Sequence, residues 1–370
     1  MIRLHFKATF DGSGNPFIVK AREAVDERDS PRSRHDAIIR RATAHANATE
    51  LISEFGMFSI DVDDEDSIDG DVLLCSPTGQ SVHRLFRRRS SQNSLLLTER
   101  CDQLCVMCSQ PPKKSDDEWR FQVYRTALEL TDPGARIGIT GGEPTLYKRD
   151  LLNMLTDVSK SRPDISYHIL SNAQHFTPAD QQSLKEFHSS VSVTWGIPLY
   201  SAQPSIHDEI VGKRGAFQQL MNNLMLLGST GAQIELRTVF TSINALDLPH
   251  LASFISKHLP FVSLWAIMGM ESIGYAIAHW DRLFFDHSVF PQPIISALEI
   301  ARLHSLPCKL YNFPRCTIPA HYREACTQSI SDWKRKFLED CSGCAEREKC
   351  CGFFEWYAPK YAWAGVKKVN

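Results

Sequence analysis

Three cysteines lie close together in the sequence, directly after an apolar run. The stretch LLLTERCDQLCVMCSQPP places Cys101, Cys105 and Cys108 in a C-x3-C-x2-C pattern. This spacing is typical of a [4Fe-4S] cluster that a protein binds through three of its irons. The fourth iron then lacks a protein thiolate and can chelate a substrate. The pattern therefore predicts a reaction centre rather than an electron relay.

Zinc and disulfide bonds are the alternative uses of closely spaced cysteines. A structural zinc site needs a fourth ligand; Cys75 and His83 are available upstream, but they lack the paired spacing that is usual for zinc. The chain begins MIRLHFKATF, without an apolar signal region, and no run approaches the roughly 18 apolar residues of a membrane span. We therefore expect a cytoplasmic, reducing location in which the thiols remain available for iron.

A glycine-rich turn follows the strand-like segment RIGITG and contains Gly141, Gly142 and Glu143. Glycines allow a backbone to approach a ligand closely, and a glutamate can accept hydrogen bonds from an ammonium group. Alone, GGEP is consistent with an ordinary turn. It lies one βα unit beyond the cysteines, however, where the amino group of a cluster-bound amino acid would need partners.

The composition is that of an ordinary globular protein with 370 residues and 43% hydrophobic content. A net charge of -2 gives no positive field that would recruit nucleic acid or an anionic membrane. Local exceptions are the acidic stretch 61–71 and the arginines at 87–89. Asp66 stands where an EF-hand requires glycine, so the acidic stretch favours a solvated loop over a calcium site.

After the cysteines, short strand-like runs alternate with longer amphipathic ones, which is typical of parallel βα units. Six such units are too few to close an eight-stranded barrel, so we predict an α/β fold with an open, partial (β/α)6 barrel. Its site would lie at the C-terminal ends of the strands. The six predicted strands are SLLLTE, RIGITG, SYHILSN, SVSVTWGIPL, QIELRTVFT and FVSLWAIM.

With the cysteine loop and the GGE turn in this order, residues 94–275 resemble the radical S-adenosylmethionine (SAM) enzymes. The resemblance implies that Cys101, Cys105 and Cys108 hold the cluster and that the amine and carboxylate of SAM bind the open iron. Glu143 would hold the amine. An electron from a donor such as flavodoxin or ferredoxin would cleave SAM to methionine and a 5'-deoxyadenosyl radical, which abstracts a hydrogen atom from the substrate.

Further SAM contacts are expected at the other strand ends. Ser171 and Asn172 suit the ribose hydroxyls or the carboxylate, although Ala173 stands where many relatives have glycine. Arg237 could pair with the methionyl carboxylate through its planar fork, or form an ion pair at the edge of the core. Met268 could pack against adenine, or simply fill the core.

The connection after the fourth strand, residues 195–217, is rich in proline, glycine, aromatic and charged residues. Loops of this kind at the open face of a barrel usually contact substrate. His207 and Asp208 could act as acid and base, or as a solvated histidine beside a helix-capping aspartate.

A second group of cysteines lies near the C-terminus in DCSGCAEREKCCGFFEWY. Its C-x2-C-x5-C spacing, completed by Cys316, favours an auxiliary [4Fe-4S] cluster over zinc. The extension resembles the cysteine-rich tails of radical enzymes that modify peptides. Phe354 stands where the longer version of that tail continues with another cysteine, so one cluster is expected. Cys326 and Cys351 leave the ligand set open; the favoured set is Cys316, Cys341, Cys344 and Cys350.

Several phrases resemble the C-type radical maturases of the His-Xaa-Ser peptide system: MCSQPP, ITGGEPTLY, IPLYSAQPSIHDEIVGKRGAF and QSISDWK. This resemblance, over residues 70–357, implies a ribosomally made precursor peptide as substrate and a second radical maturase as partner. The bond that is formed or changed stays open. A radical enzyme acting on a small molecule is the alternative, and an electron-transfer or scaffold protein is a third reading, against which Glu143 argues.

The expected domains are residues 1–93, a radical SAM core at 94–305 and a cysteine-rich extension at 306–370. The first of these is expected to be an α+β module that recognises the precursor or caps the barrel. Its predicted elements are a hairpin around Gly12 and Gly14, a helix over 32–55 and a hairpin over 71–86.

Overall fold

The chain forms two compact units whose segments interrupt each other along the sequence. None of the described helices has the length and apolarity that crossing a membrane requires. Unit 1 comprises residues 1–97, 116–139 and 149–167, and unit 2 comprises residues 98–115, 140–148 and 168–370. The computed structural model describes residues 4–370 except for 13, 27, 42–47, 63–66 and 89.

Unit 1 is built around a small closed β-barrel of seven strands in the order β1-β5-β4-β3-β2-β6-β7. Apolar side chains fill its interior, among them Phe6, Val19, Leu51, Phe58 and Leu73. The strands are β1 (His5–Phe10), β2 (Phe17–Glu23), β3 (Asp36–Arg41), β4 (Ala48–Ser53), β5 (Gly56–Asp61), β6 (Val72–Ser76) and β7 (Ser81–Phe86).

The barrel corrects two predictions for residues 1–93 and confirms a third. The helix over 32–55 is wrong: β3 and β4 form an antiparallel pair there, and residues 42–47 lie outside the described part. The first hairpin is also wrong, because β1 pairs with β5 and β7 rather than with β2. The second hairpin is confirmed by the pairing of β6 with β7. The described part of this module is therefore a β-barrel instead of an α+β fold.

The acidic stretch 61–71 lies only partly within the described residues, since 63–66 are among the gaps. Its last member, Asp71, is buried and forms an ion pair with Arg84 at 2.6 Å. This carboxylate therefore anchors the barrel rather than lying in a solvated loop.

The second sheet has eight strands in the order β15-β14-β13-β12-β11-β10-β9-β8. The pairs from β11 to β15 are parallel. All six predicted strands are present, and two short ones extend the sheet. The strands are β8 (Asn93–Thr98), β9 (Arg136–Gly141), β10 (Ser166–Leu170), β11 (Ser192–Pro198), β12 (Gln233–Phe240), β13 (Leu264–Gly269), β14 (Cys308–Tyr311) and β15 (Cys326–Thr327).

Helices alternate with these strands, as the period of apolar residues predicts. In α2 the buried residues Leu151, Leu155 and Val158 recur at helical spacing. The helices are α1 (Trp119–Glu129), α2 (Lys148–Ser161), α3 (Gln181–Ser190), α4 (Pro204–Val211), α5 (Ala216–Ser229), α6 (Leu248–His258), α7 (Tyr275–Ala278), α8 (Trp280–Leu283) and α9 (Gln292–Leu303).

The C-terminal extension contains mostly short turns besides β14 and β15, together with a two-stranded ribbon of β16 (Arg335–Lys336) and β17 (Phe353–Phe354). Its aromatic residues supply much of its packing: Phe353 is 2% exposed and contacts Tyr357 and Trp363. An irregular chain of this kind has few repeated backbone hydrogen bonds, so its cysteines are positioned by turns and side-chain packing.

Candidate active site and cysteine-lined pocket

The first three cysteines lie in the connection between β8 and α1, and all three thiols are partly buried. Burial raises the pKa of Cys101 to about 11 and that of Cys105 to about 12, and it also raises the pKa of Cys108. Positive metal charge would offset this cost, because it stabilises thiolates. The donor set therefore fits a metal group better than it fits a free thiolate nucleophile.

The three thiols influence one another electrostatically. Within the described part of the chain, no three His, Cys, Asp or Glu side chains could hold a metal ion together. A [4Fe-4S] cluster is wider than an ion, since each thiolate binds a different iron. Charge on Cys101 or Cys108 would still raise the pKa of Cys105, so the three thiols lie within electrostatic reach of one another.

The middle of the cysteine loop is attached to the end of α4. The amide of Leu104 donates to the carbonyl of Val211 at 3.1 Å, and that of Val106 donates to Ile210 at 2.9 Å. Gly212 follows with a φ of 65°, in the left-handed region that favours glycine. A Cβ there would lie 2.6 Å from the Leu104 carbonyl oxygen, so only glycine permits this close packing.

The GGE turn packs directly on the start of the cysteine loop. The amide of Gly142 donates to Thr98 and that of Glu143 donates to Arg100, each at 2.8 Å. A Cβ on Gly142 would lie 2.2 Å from the Arg100 carbonyl oxygen and 3.0 Å from Cβ of Cys101. A Cβ on Gly141 would meet the Thr98 oxygen at 2.4 Å. The two glycines are therefore needed where β9 meets the cysteine loop.

Glu143 is fully buried and joins the ends of β9 and β10. Its Oε1 accepts hydrogen bonds from the Thr145 amide at 2.8 Å, the Thr145 hydroxyl at 2.5 Å and the Ser171 hydroxyl at 2.8 Å. Its Oε2 accepts from the Asn172 amide at 2.5 Å. Burial raises the pKa of Glu143, although these donors oppose the shift. Oε2 has fewer donors than Oε1, so it is the oxygen with capacity for an ammonium group.

Asp102 is a functional candidate that the sequence analysis did not single out. It accepts a hydrogen bond from Asn172 at 2.8 Å, lies 3.3 Å from Nε2 of His175, and pairs with Lys213. Burial would raise the pKa of Asp102, but these donors outweigh it and hold the pKa well below its usual range. The cysteine loop is thus anchored to the segments after β10 and α4. The position of Asp102 directly after Cys101 was the sequence signal that could have identified it.

Ser171 and Asn172 therefore both donate hydrogen bonds to Glu143, and the side chain of Asn172 also donates to Asp102 in the cysteine loop. Ala173, which stands where glycine was expected, has a φ of 54° in the left-handed region. A non-glycine residue is strained in this conformation. The structure thus gives a backbone reason for glycine at this position.

Arg237 lies on β12 in an ion pair with Glu235 at 2.5 Å, and its guanidinium lies 5.9 Å from the Tyr311 ring centroid. His168 on β10 reaches the same carboxylate at 3.6 Å. A Cβ on Gly196 would lie 3.0 Å from both Arg237 Cδ and His168 Nε2, so this glycine leaves space for these two side chains. Any carboxylate ligand would share Arg237 with Glu235.

The two candidates for acid and base chemistry have structural roles. Asp208 accepts from the amides of Gly215 and Phe217 and thereby caps the start of α5. His207 is buried rather than solvated, and burial lowers its pKa to about 4. The two amide contacts of Asp208 support the capping alternative for this residue.

Met268 lies on β13 in register with Tyr311.

The second group of cysteines lines a small cavity in the extension that is partly open to solvent. Cys350 accepts hydrogen bonds from the amides of Arg315 and Gly352, each at 3.4 Å. A hydrogen bond from Cys351, together with these amides, lowers the pKa of Cys350 to about 6 against the effect of burial. Cys350 therefore favours the thiolate that a metal requires. The cysteines that line this cavity are Cys316, Cys341, Cys344 and Cys350.

The other two cysteines nearby do not line the cavity. Cys351 is 1% exposed and packs with Ile330, Phe354 and Trp356. Its pKa is raised well above the usual value, because its thiol donates to Cys350 and is buried. Cys326 is buried in β15. The structure thus separates Cys350 from Cys351, which sequence spacing alone left open.

Residues 95–252 match the family model of the Radical SAM superfamily. The matched segment runs from β8 into α6 and contains Cys101, Cys105, Cys108 and Glu143. This part of the chain is therefore similar to a Radical SAM superfamily domain. The family implies a [4Fe-4S] cluster and SAM, which the three-cysteine donor set fits.

Among solved structures, Streptococcus suis SuiB bound to S-adenosylmethionine is 16% identical over 61% of this chain and 51% of that one, with a TM-score of 0.48. SuiB bound to precursor peptide SuiA is 14% identical over 62% and 50%, with a TM-score of 0.47. AdoMet-bound anSMEcpe is 14% identical over 59% and 63%, with a TM-score of 0.45.

These alignments span about half of SuiB and less than two thirds of anSMEcpe. Comparison with curated protein sequences finds no match. The functional argument therefore depends on the residues of this chain and on the family match.

Proposed function

We propose that this chain is a radical SAM maturase that modifies a ribosomally made precursor peptide of the His-Xaa-Ser repeat type. The observation that carries the proposal is the joining of the cysteine loop to the GGE turn, through the hydrogen bonds from the amides of Gly142 and Glu143 to Thr98 and Arg100. The ends of β9 and β10 meet there at Glu143. A protein that only relays electrons would not need this arrangement.

Each residue of the site has a defined task in this proposal. Cys101, Cys105 and Cys108 hold a [4Fe-4S] cluster. Oε2 of Glu143 accepts a hydrogen bond from the amine of SAM, and Arg237 attracts its carboxylate while remaining paired with Glu235. When bound, the cluster and SAM supply a 5'-deoxyadenosyl radical that abstracts hydrogen from the substrate.

Ser171 and Asn172 act mainly by positioning in this scheme. Ser171 donates to Glu143, and the Asn172 side chain donates to Asp102 in the cysteine loop. These contacts keep the amine-binding carboxylate beside the thiols. The backbone of Gly141 and Gly142 completes the amine pocket where β9 ends.

A peptide substrate is favoured by the extension. Its four cavity cysteines, Cys316, Cys341, Cys344 and Cys350, suit an auxiliary [4Fe-4S] cluster that accepts an electron from the substrate. Flavodoxin or ferredoxin would supply the reducing electron, and a second radical maturase of the same system would act on the same precursor. For the β-barrel of residues 5–86, precursor recognition is the proposed role.

The test is anaerobic co-expression with a precursor that carries His-Xaa-Ser repeats, followed by mass measurement of the peptide. We expect a mass change or, for epimerisation, deuterium uptake from the solvent. The reduced enzyme should also release 5'-deoxyadenosine. Absence of both peptide change and 5'-deoxyadenosine would contradict the proposal, whereas 5'-deoxyadenosine release with an unchanged peptide would favour a small-molecule substrate.

A further inference from the structure

Glu271 lies two residues beyond the C-terminal end of β13, in the connection to α7. In the same connection, Gly274 has a φ of 59°, and a Cβ there would lie 2.3 Å from the carbonyl oxygen of Cys108. The amide of Tyr275 donates to that oxygen at 2.9 Å. The connection is therefore packed on the third cysteine of the loop. Glu271 therefore belongs to a connection that contacts the cysteine loop three residues further along the chain.

The Glu271 carboxylate has few partners for a group that is mostly removed from water. Its side chain is 20% exposed, and its ionic contact is Lys334 Nζ at 3.4 Å. Burial raises the pKa of Glu271, and the Lys334 ammonium opposes this shift. A carboxylate can accept about four hydrogen bonds, so one long contact leaves most of its capacity unused.

Lys334 belongs to the extension and is held independently of Glu271. Its ammonium lies 5.2 Å from the ring centroid of Phe354, 5.8 Å from that of Trp333 and 6.0 Å from that of Trp356. Aromatic faces attract a cation. The ammonium would therefore keep favourable contacts if Glu271 turned toward another donor.

We propose that Glu271 forms a subsite for a cationic side chain of the substrate. That side chain is the imidazolium group of a histidine in a His-Xaa-Ser repeat. Lys334 is the counter-ion of Glu271 when no peptide is bound. The inference rests on the proposed function for its choice of peptide. A charge-assisted hydrogen bond in a partly desolvated site is strong enough to select histidine over an uncharged side chain of similar size.

The test is a binding measurement on the iron-loaded wild-type protein at a pH of about 6, where histidine is largely protonated. Fluorescence anisotropy is recorded with a labelled peptide of His-Xaa-Ser repeats and with a matched peptide that has glutamine for each histidine. We expect the histidine peptide to bind about tenfold tighter. Glu271→Gln should bind both peptides equally.

Lys334→Met separates recognition from a merely structural ion pair. In our proposal this variant keeps the preference for the histidine peptide, because the carboxylate remains and a competitor is removed. If the pair only fastened the extension, both variants would lose affinity for both peptides alike. Glu186→Gln, at an exposed carboxylate on α3, is the matched control and should keep the preference.

Equal affinity of the wild type for the two peptides, or no binding of either, would overturn the inference. So would a preference that survives in Glu271→Gln or is lost in Lys334→Met. Iron content and circular dichroism check that each variant is folded. Release of 5'-deoxyadenosine by the reduced wild type tests the proposed function separately, because it does not depend on peptide discrimination.

Discussion

The two cysteine sites stabilise their thiols in different ways. In the loop after β8, burial raises the pKa of all three thiols, and the loop is held by the contacts of Asp102 with Asn172 and Lys213, by the GGE turn and by the end of α4. In the extension, Cys350 receives two amide hydrogen bonds, and its pKa is lowered to about 6. The first site is positioned by hydrogen bonds to other segments of the chain. At the second site, nearby backbone amides donate directly to a cysteine sulfur.

This difference matches the tasks proposed for the two sites. A loop that leaves one iron open must be held firmly while little of the protein covers the metal. A pocket lined by four cysteines would surround a bound metal, and fewer contacts from other segments would be needed to position its ligands. Substitutions at each site should therefore have separable effects.

The largest effect is expected for the triple substitution Cys101→Ala, Cys105→Ala and Cys108→Ala. Release of 5'-deoxyadenosine should be abolished, because the ligands for the SAM-binding cluster are removed. Iron analysis and electron paramagnetic resonance should still detect a cluster in the extension. Loss of all iron would contradict the independence of the two sites.

Cys350→Ala and Cys351→Ala form a matched pair within the extension. Cys350→Ala should remove the auxiliary cluster, because this thiol lines the cavity. Cys351→Ala should keep the iron and lower the free energy of unfolding by about 1 kcal/mol through lost apolar contacts. Iron content and denaturant unfolding measure the two outcomes, and equal iron loss in both variants would count against the assignment of Cys350.

Gly142→Ala tests the external support of the first site. The added methyl group would lie 2.2 Å from the Arg100 carbonyl oxygen, so β9 and the cysteine loop must move apart. We expect the free energy of unfolding to fall by about 1–3 kcal/mol, with iron lost from this site alone. Gly12→Ala is the control, since a Cβ there meets nothing within 4 Å and should change stability by less than about 0.5 kcal/mol.

The smallest expected effect comes from Ala173→Gly, beside the residue that anchors Asp102. Relief of the left-handed conformation at φ 54° should raise the free energy of unfolding by about 1 kcal/mol. Ala127→Gly, inside α1, should lower it by about 1 kcal/mol instead. Thermal or urea unfolding compares the two, and equal destabilisation would show that Ala173 is unstrained.

The sheet that carries the site could be predicted from sequence because its strands are short, apolar runs separated by amphipathic helices. RIGITG, for example, coincides with β9. The N-terminal barrel could not be predicted in this way. Residues 36–53 contain alanine and charged residues at spacings that suit a helix, but pairing between β3 and β4 and burial of Leu51 determine the fold there. Such long-range pairing leaves a weak local signal.

The proximity of Cys101 and Glu143 was predictable, because it follows from residue type and from the order of the strands. The arrangement of the site was not predictable where it depends on contacts across the chain. Nothing in the local sequence shows that Asp102 meets Lys213, or that Cys350 faces a cavity while Cys351 faces an apolar cluster. These assignments need three-dimensional positions, because adjacent residues can point in opposite directions.

The attachment of the cysteine loop to the end of α4 also affects the order of events during synthesis on the ribosome. Asp102 and its partner Lys213 are separated by 111 positions in the chain. Because a contact cannot form before both of its residues exist, the nascent loop lacks this anchor until translation has passed Lys213. Iron delivered earlier would meet the three proposed ligands without this support, so we expect cluster insertion to follow this point in translation.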